Sequence, residues 1–96
     1  MTSSIELVVS PRAQCDREGI LRYPRKTWGP EQRDRYDQIL EDGFDRIRQF
    51  PDLGLAAPGK SSTIRELILE HHIIQYRREA ERVVILRIAG HRQRRR

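Results

Sequence analysis

Apolar and polar residues alternate with two different periods along the chain, and the first segment has the period of a strand. Residues 5–9 form a short β-favouring run in which every second residue is apolar. Ser10 and Pro11 follow, and this pair predicts a helix start, because serine caps backbone N–H groups and proline suits the first helical position. We expect this first helix to be weakened by Gly19 and stopped by Pro24.

The second helix has the strongest periodic signal. Trp28-Gly29-Pro30-Glu31 predicts its start, with glycine at the cap, proline in the first turn and an acid near the positive end of the helix dipole. Phe50-Pro51 predicts its end, because the residue before a proline is pushed out of helical geometry. Between them, apolar side chains recur at i, i+3 and i+4 over about four turns, at Tyr36, Ile39, Leu40, Phe44, Ile47 and Phe50.

The second half of the chain has the pattern of strands. Residues 52–62 have a loop composition without an apolar pattern. Beyond them, β-rich runs predict an antiparallel meander of strands at residues 64–69, 72–77 and 82–88. The last run is almost wholly apolar, which is typical of a central strand covered on both faces. We therefore expect a single α+β domain over residues 1–96, in the order β-α-α-β-β-β, with two helices packed on one face of an antiparallel sheet.

Charge indicates the kind of partner. The chain has 19 Lys and Arg against 14 Asp and Glu, a net charge of +5, which favours nucleic acid or an acidic protein segment. Seventeen of the basic residues are arginine, whose planar guanidinium binds phosphate and carboxylate bidentately, although a GC-rich genome produces the same bias. Residues 91–96 hold four arginines and no acid, so this basic tail is either an anion-binding segment or a solvated end.

Several classes of protein are disfavoured. Cys15 is the only cysteine, which excludes an internal disulfide and suits a reducing cytosol. Residues 1–10 lack the pattern of a signal peptide, and no run approaches the roughly 20 apolar residues that span a bilayer. His71 and His72 would point to opposite faces of a strand, which disfavours joint metal binding. We expect a cytoplasmic protein without a membrane partner, a metal or a cofactor.

The predicted element order and several short motifs resemble the ParE/RelE toxin superfamily over residues 5–94. Two positions depart from its pattern: Arg17 stands where the first helix usually has an apolar residue, and Pro24 falls where that helix normally continues. The motifs are Ser10-Pro11-Arg12-Ala13, Trp28-Gly29, Phe50-Pro51-Asp52-Leu53-Gly54, Arg65-Glu66-Leu67, and residues 72–77, 83–88 and 91–93.

The resemblance implies the toxin of a type II toxin–antitoxin pair, closer to ParE, the plasmid stabilisation toxin, than to RelE. RelE-like members are metal-independent ribonucleases that cut mRNA in the ribosome, using basic side chains and a late tyrosine or histidine. Here Ile73 stands where such enzymes place a phosphate-binding arginine, and Tyr76, expected to pack in the core, is the last tyrosine. The resemblance therefore implies a toxin that binds DNA gyrase and blocks its turnover, without catalytic residues of its own.

The candidate contact residues are basic. An alternative hypothesis is a RelE-like endoribonuclease with Arg65, Arg87, His91 and Arg92 around the scissile phosphate, and a third is an inactive partner-binding remnant. His91 is the one plausible acid or base in the last segment, because histidine titrates near neutral pH, but a strand-end histidine held by backbone hydrogen bonds is the commoner case. The residues expected to bind target or antitoxin are Arg65, Arg77, Arg87, His91, Arg92 and Arg94.

The resemblance also implies a partner. The cognate antitoxin is expected to be a DNA-binding dimer whose C-terminal arm wraps the toxin, which would link the toxin indirectly to operator DNA. Such an arm could place an amphipathic helix in the groove between helices and sheet, with its acids against Arg65, Arg77, Arg87 and the basic tail.

Overall fold

The order of helices and strands is the predicted one, with one short strand added. The computed structural model describes residues 5–22, 25–57, 59–70 and 72–90. The elements are β1 (Glu6–Val9), α1 (Pro11–Arg22), α2 (Arg25–Gln49), β2 (Leu55–Ala56), β3 (Ile64–Ile68), β4 (His72–Arg78) and β5 (Arg82–Gly90). This confirms the α+β class. β2 lies in the segment that was predicted to be wholly loop.

The strands form one mixed sheet in the order β1-β5-β4-β3-β2. β3, β4 and β5 make the predicted antiparallel meander, whereas β1 runs parallel to β5, with Leu7 opposite Val83. The sheet is therefore not antiparallel throughout. A parallel pair needs a long crossover between its strands, and the two helices are part of the connection that supplies it here.

β5 is an interior strand between β1 and β4, and it contains a β-bulge. Gln75 faces Arg87 and Tyr76 faces Ile85, so Leu86 has no partner on β4. The face of β5 away from the helices is only partly buried, so the prediction that both faces are covered is wrong for that face. On the helix side, buried positions lie before and after the bulge, at Val83, Ile85 and Ile88.

The core lies between the helices and one face of the sheet. Four residues of the predicted α2 stripe lie in the core, whereas Ile39 is partly buried against it and Phe50 is exposed because the helix ends at Gln49. Tyr76 is fully buried, which confirms its predicted place in the core. The core cluster is Ala13, Tyr36, Leu40, Phe44, Ile47, Leu67, Leu69, Ile74, Tyr76, Val83, Ile85 and Ile88.

α2 begins earlier than predicted, at Arg25 instead of near Gly29. Pro30 therefore lies in the second turn, where its missing N–H leaves one intrahelical hydrogen bond unmade. The predicted start was wrong because glycine and proline were expected to mark the first turn, although Arg25 and Lys26 before them are also good helix formers. The predicted end is confirmed, since the helix stops at Gln49.

α1 begins directly after Ser10, as predicted. The Ser10 hydroxyl accepts a hydrogen bond from the backbone N–H of Ala13 (3.1 Å) and donates one to the carbonyl of Leu86 (3.1 Å). The cap thus also fixes the start of the helix against β5. α1 ends at Arg22, which agrees with the predicted stop at Pro24, a residue outside the described ranges.

Arg17, which departs from the apolar pattern of the superfamily, joins the two helices. Its guanidinium donates to Asp37 (Nε to Oδ1, 3.1 Å) and to Glu41 (2.7 Å), both on α2. It also lies 5.7 Å from the centroid of the Phe44 ring. Partly exposed ion pairs contribute about 0–1 kcal/mol each, so the arrangement mainly sets how α1 packs on α2. Ion pairs here replace an apolar contact.

Candidate functional site

The predicted strand arginines lie on both faces of the sheet. Arg65 is opposite Tyr76 in register, so its side chain leaves the sheet on the helix side. Arg77 and Arg87 leave on the other side, since Arg77 neighbours Tyr76 and Arg87 is opposite Gln75. The structure therefore does not bring the three arginines together. The remaining predicted positions, His91, Arg92 and Arg94, lie outside the described residues.

A polar row crosses the face away from the helices. Glu66, Gln75 and Arg87 are neighbours in register on β3, β4 and β5. The Gln75 amide donates to the Glu66 carboxylate at 3.4 Å, and Glu66 is only 7% exposed. Arg87 Nε lies 4.0 Å from Asp16 Oδ2, which accepts a hydrogen bond from the backbone N–H of Ile88 at 2.9 Å. The Arg87 side chain is 39% exposed, so its guanidinium can reach a partner from this row.

Arg77 lies at the turn between β4 and β5, where a carboxylate holds it. Its Nε donates to Glu79 at 3.1 Å, and Arg82 Nε donates to the other Glu79 oxygen at 2.7 Å. The hydrogen bonds from Arg82 and then Arg77 lower the pKa of Glu79 below its ordinary value. Glu79 is therefore charged at neutral pH, and a partner must compete with it for either guanidinium.

Arg65 is engaged by the loop that follows α2. Its Nη1 donates to the carbonyl of Gly54 (2.8 Å) and more weakly to that of Asp52 (3.3 Å). The guanidinium of Arg78 holds the same loop, with Nε 2.8 Å from Asp52 Oδ1. Both arginines thus stabilise the loop, and Arg65 is available to a partner only in part.

Tyr76 fixes the same loop from the core. Its hydroxyl donates to the carbonyl of Pro51 (2.7 Å) and accepts from the N–H of Gly54 (2.9 Å). Burial raises the pKa of Tyr76 above its ordinary value, so the hydroxyl keeps its proton. A Cβ added at Gly54 would lie 2.8 Å from the carbonyl oxygen of Glu66, so only glycine fits here. Residues 50–55 are called the anchored loop below.

The anchored loop exposes large apolar side chains. Phe50 is 61% exposed, Leu53 42% and Leu55 65%. Sequence reasoning missed this surface because the glycine and proline around it indicate a loop and no apolar period passes through it. The available signal was composition: two leucines and a phenylalanine are unusual in a segment that has no core pattern.

A cleft lies between α2 and Leu69, the residue that follows β3. It has a volume of about 510 Å³. β2 pairs with β3 only at Arg65 and Glu66, so it leaves the outer edge of Leu67 and Ile68 uncovered. A cleft beside a sheet edge suits a peptide segment that adds to the domain. Its lining mixes apolar and charged residues, Ile39, Asp42, Gly43, Asp45, Arg46 and Leu69.

Metal and membrane sites were also considered. In the part of the chain that the structure describes, no three His, Cys, Asp or Glu side chains gather as metal ligands. His72 Nδ1 is hydrogen-bonded to the hydroxyl of Tyr36, with the ring centroids 5.1 Å apart, and His71 lies outside the described residues. Within the described ranges, neither helix has the length and apolar character of a membrane-crossing segment.

Comparison with a known relative supports the resemblance. Toxin ParE of Escherichia coli is 32% identical over 71 residues, which are 70% of this chain and 65% of that protein. The matched part of the chain thus spans just under two thirds of the length of the relative.

Solved structures share the fold. The chromosomal ParDE TA system from P. aeruginosa superposes with a TM-score of 0.76 at 23% identity, over 90% of this chain and 95% of that chain. The solution structure of a conserved hypothetical protein from Helicobacter pylori gives 0.57 at 19% identity, over 92% and 96%. A family profile adds the decisive match: "ParE toxin of type II toxin-antitoxin system, parDE" covers residues 7–95. This chain therefore belongs to the ParE toxin family of type II toxin–antitoxin systems.

Proposed function

We propose that this toxin inhibits growth by binding DNA gyrase in the cytoplasm and blocking its turnover, and that a cognate antitoxin neutralises it. Membership of the ParE family supports the proposal. The observation that carries it is the separation of the strand arginines. Guanidinium groups on both faces of the sheet suit contacts with a macromolecule at several points, and they do not converge on one reacting group.

The same separation weighs against the ribonuclease alternative. A nuclease of that kind needs basic groups, an acid and a base around a single scissile phosphate. Arg65 and Arg87 leave opposite faces of the sheet, so they cannot flank one phosphate without unfolding β3 or β5. In addition, Arg65 already donates to the carbonyls of the anchored loop.

The antitoxin arm is proposed to occupy the cleft between α2 and Leu69. The floor offers Ile39 and Leu69 to an apolar ridge of the arm. The α2 wall carries Asp42 and Asp45, so basic residues of the arm would face this wall, while its acids would reach Arg87 on the other face. The antitoxin dimer would then link the toxin to operator DNA.

The test uses the purified toxin in two assays. Added to gyrase, relaxed plasmid and ATP, it should prevent supercoiling, and pre-mixing with the antitoxin should restore it. Added to translating ribosomes, it should leave the mRNA intact. Ribosome-dependent cleavage without any effect on supercoiling would overturn the proposal.

Matched variants test the antitoxin site separately. Asp42→Lys reverses a charge in the cleft and should weaken antitoxin binding without reducing gyrase inhibition. Asp34→Lys makes the same change on α2 at a residue outside the cleft lining, whose side chain is 80% exposed. This control should change neither antitoxin binding nor gyrase inhibition. Equal effects of the two substitutions on antitoxin affinity would place the arm elsewhere.

A further inference from the structure

We infer that the anchored loop, residues 50–55, is the contact through which the toxin grips its target, by inserting into an apolar pocket with an acidic rim on a folded protein. The inference rests on the proposed function in that the toxin acts by binding a protein target. It assigns the contact to exposed apolar side chains beside the candidate residue Arg65, on a surface different from the antitoxin cleft.

The first support is exposure. Phe50, Leu53 and Leu55 hold large apolar side chains in water within one short loop. Folding alone does not favour such exposure, because burial of each side chain would stabilise the domain. Several exposed apolar groups within one short loop indicate an interaction site, and an aromatic residue among them is a typical binding hot spot.

The second support is rigidity. The loop is hydrogen-bonded to the domain through the hydroxyl of Tyr76 and the guanidinium of Arg65, and Arg78 pairs with its carboxylate. Its last residue, Leu55, is also the first residue of β2, which pairs with β3. A loop that merely connects α2 to the sheet does not need this many contacts. A preorganised loop loses little conformational entropy on binding, which increases affinity.

The shapes of the two surfaces distinguish the target from the antitoxin. A rigid loop that presents side chains outward fits a preformed pocket on a folded protein. A wrapping arm that folds on binding instead needs a concave site, which the cleft at Ile39 and Leu69 provides. A nucleic acid backbone offers phosphates and no apolar pocket, so the apolar side chains of the loop indicate a protein.

The charged residues beside the loop indicate what should surround the pocket on the target. Arg65 and Arg78 both lie against the loop, and Asp52 is the acid that faces them, with Oδ1 3.8 Å and 2.8 Å from their Nε atoms. One carboxylate against two guanidinium groups leaves a net positive charge around Asp52 of the loop. Carboxylates around the pocket of the target would complement it and speed association.

The test compares one double variant with a matched control. Phe50→Ser with Leu55→Ser removes two exposed apolar side chains of the loop, whereas Ile68→Ser removes a 50% exposed one on β3, outside the loop. The measurements are growth arrest on expression, the concentration for half-inhibition of gyrase, antitoxin affinity and thermal unfolding. We expect the loop variant to need roughly tenfold more protein for half-inhibition, or more, with antitoxin affinity retained. The control should match the wild type in growth arrest and in the concentration for half-inhibition of gyrase.

Each other outcome has a defined meaning. A loop variant that arrests growth as well as the wild type overturns the inference and leaves the proposed function intact. Loss of antitoxin affinity together with retained toxicity also overturns it, since the loop would then belong to the antitoxin interface. If the wild type arrests growth without inhibiting gyrase, the gyrase proposal fails, and loss of arrest in the loop variant still supports the inference. Leu53→Ser repeats the test if the double variant does not fold.

Discussion

Replacing Tyr76 by phenylalanine removes one oxygen atom from the core and keeps the ring. That oxygen donates to the carbonyl of Pro51 at 2.7 Å and accepts from the N–H of Gly54 at 2.9 Å. Gly54 is buried, so water does not replace its lost acceptor, whereas Pro51 is partly exposed. A lost hydrogen bond costs about 0.5–1.5 kcal/mol and a buried donor left unsatisfied about 1–3 kcal/mol. We therefore expect the free energy of unfolding to fall by about 2–3 kcal/mol.

Urea unfolding followed by circular dichroism at pH 7 measures this change. Tyr76 has a raised pKa in the folded state because burial disfavours its anion. Its contribution is therefore complete below the unfolded pKa of about 10 and is lost as the pH rises through the folded value. The difference between wild type and variant should shrink above pH 10 or so. A loss below about 0.5 kcal/mol at pH 7, or a difference that grows in alkali, would refute the assigned role of this hydroxyl.

Four other substitutions test the packing of the anchored loop and of α1, and each is measured by thermal unfolding. Gly54→Ala should destabilise by about 1–3 kcal/mol, because its Cβ would lie 2.8 Å from a backbone carbonyl oxygen; an unchanged melting temperature would contradict the tight fit. Gly19→Ala meets nothing within 4 Å in α1 and should stabilise by about 0.5–1 kcal/mol, so a loss of stability would show an unseen contact. Ser10→Ala removes the cap of α1 and should cost about 0.5–2 kcal/mol; no cost would mean that the cap bond is not formed. Arg17→Met removes two ion pairs and should cost at most about 2 kcal/mol and reduce the salt dependence of stability, whereas an unchanged salt dependence would speak against these ion pairs.

Local patterns were sufficient to predict the existence of both helices and of strands β1, β3, β4 and β5. The apolar stripe of α2 and the β-rich runs of β3 to β5 depend on neighbours along the chain, so their periods are visible in the sequence. β2 has only two residues, Leu55–Ala56, which is too short to show a period. The parallel pairing of β1 with β5 joins residues far apart in the chain, such as Leu7 and Val83. No local pattern predicts such a pairing.

The candidate site could be predicted only in part. Composition identified arginine as its main residue type, but the positions of the guanidinium groups depend on strand pairing. Arg65, Leu67 and Leu69 are two residues apart, so strand alternation predicts that Arg65 lies on the core side of β3. Its contact with Gly54 could not be predicted, because it depends on the loop conformation. The fixed conformation of the anchored loop could not be predicted, because it depends on the hydroxyl of Tyr76, which reaches the loop from the core.

The order of events after expression of the toxin alone tests the central claim most directly. DNA synthesis, the DNA-damage response and protein synthesis are followed together in the first minutes. Arrested DNA synthesis and a damage response before any fall in protein synthesis, both prevented by the antitoxin, are the predicted result. Immediate translational arrest with cut mRNA and normal plasmid supercoiling would contradict it.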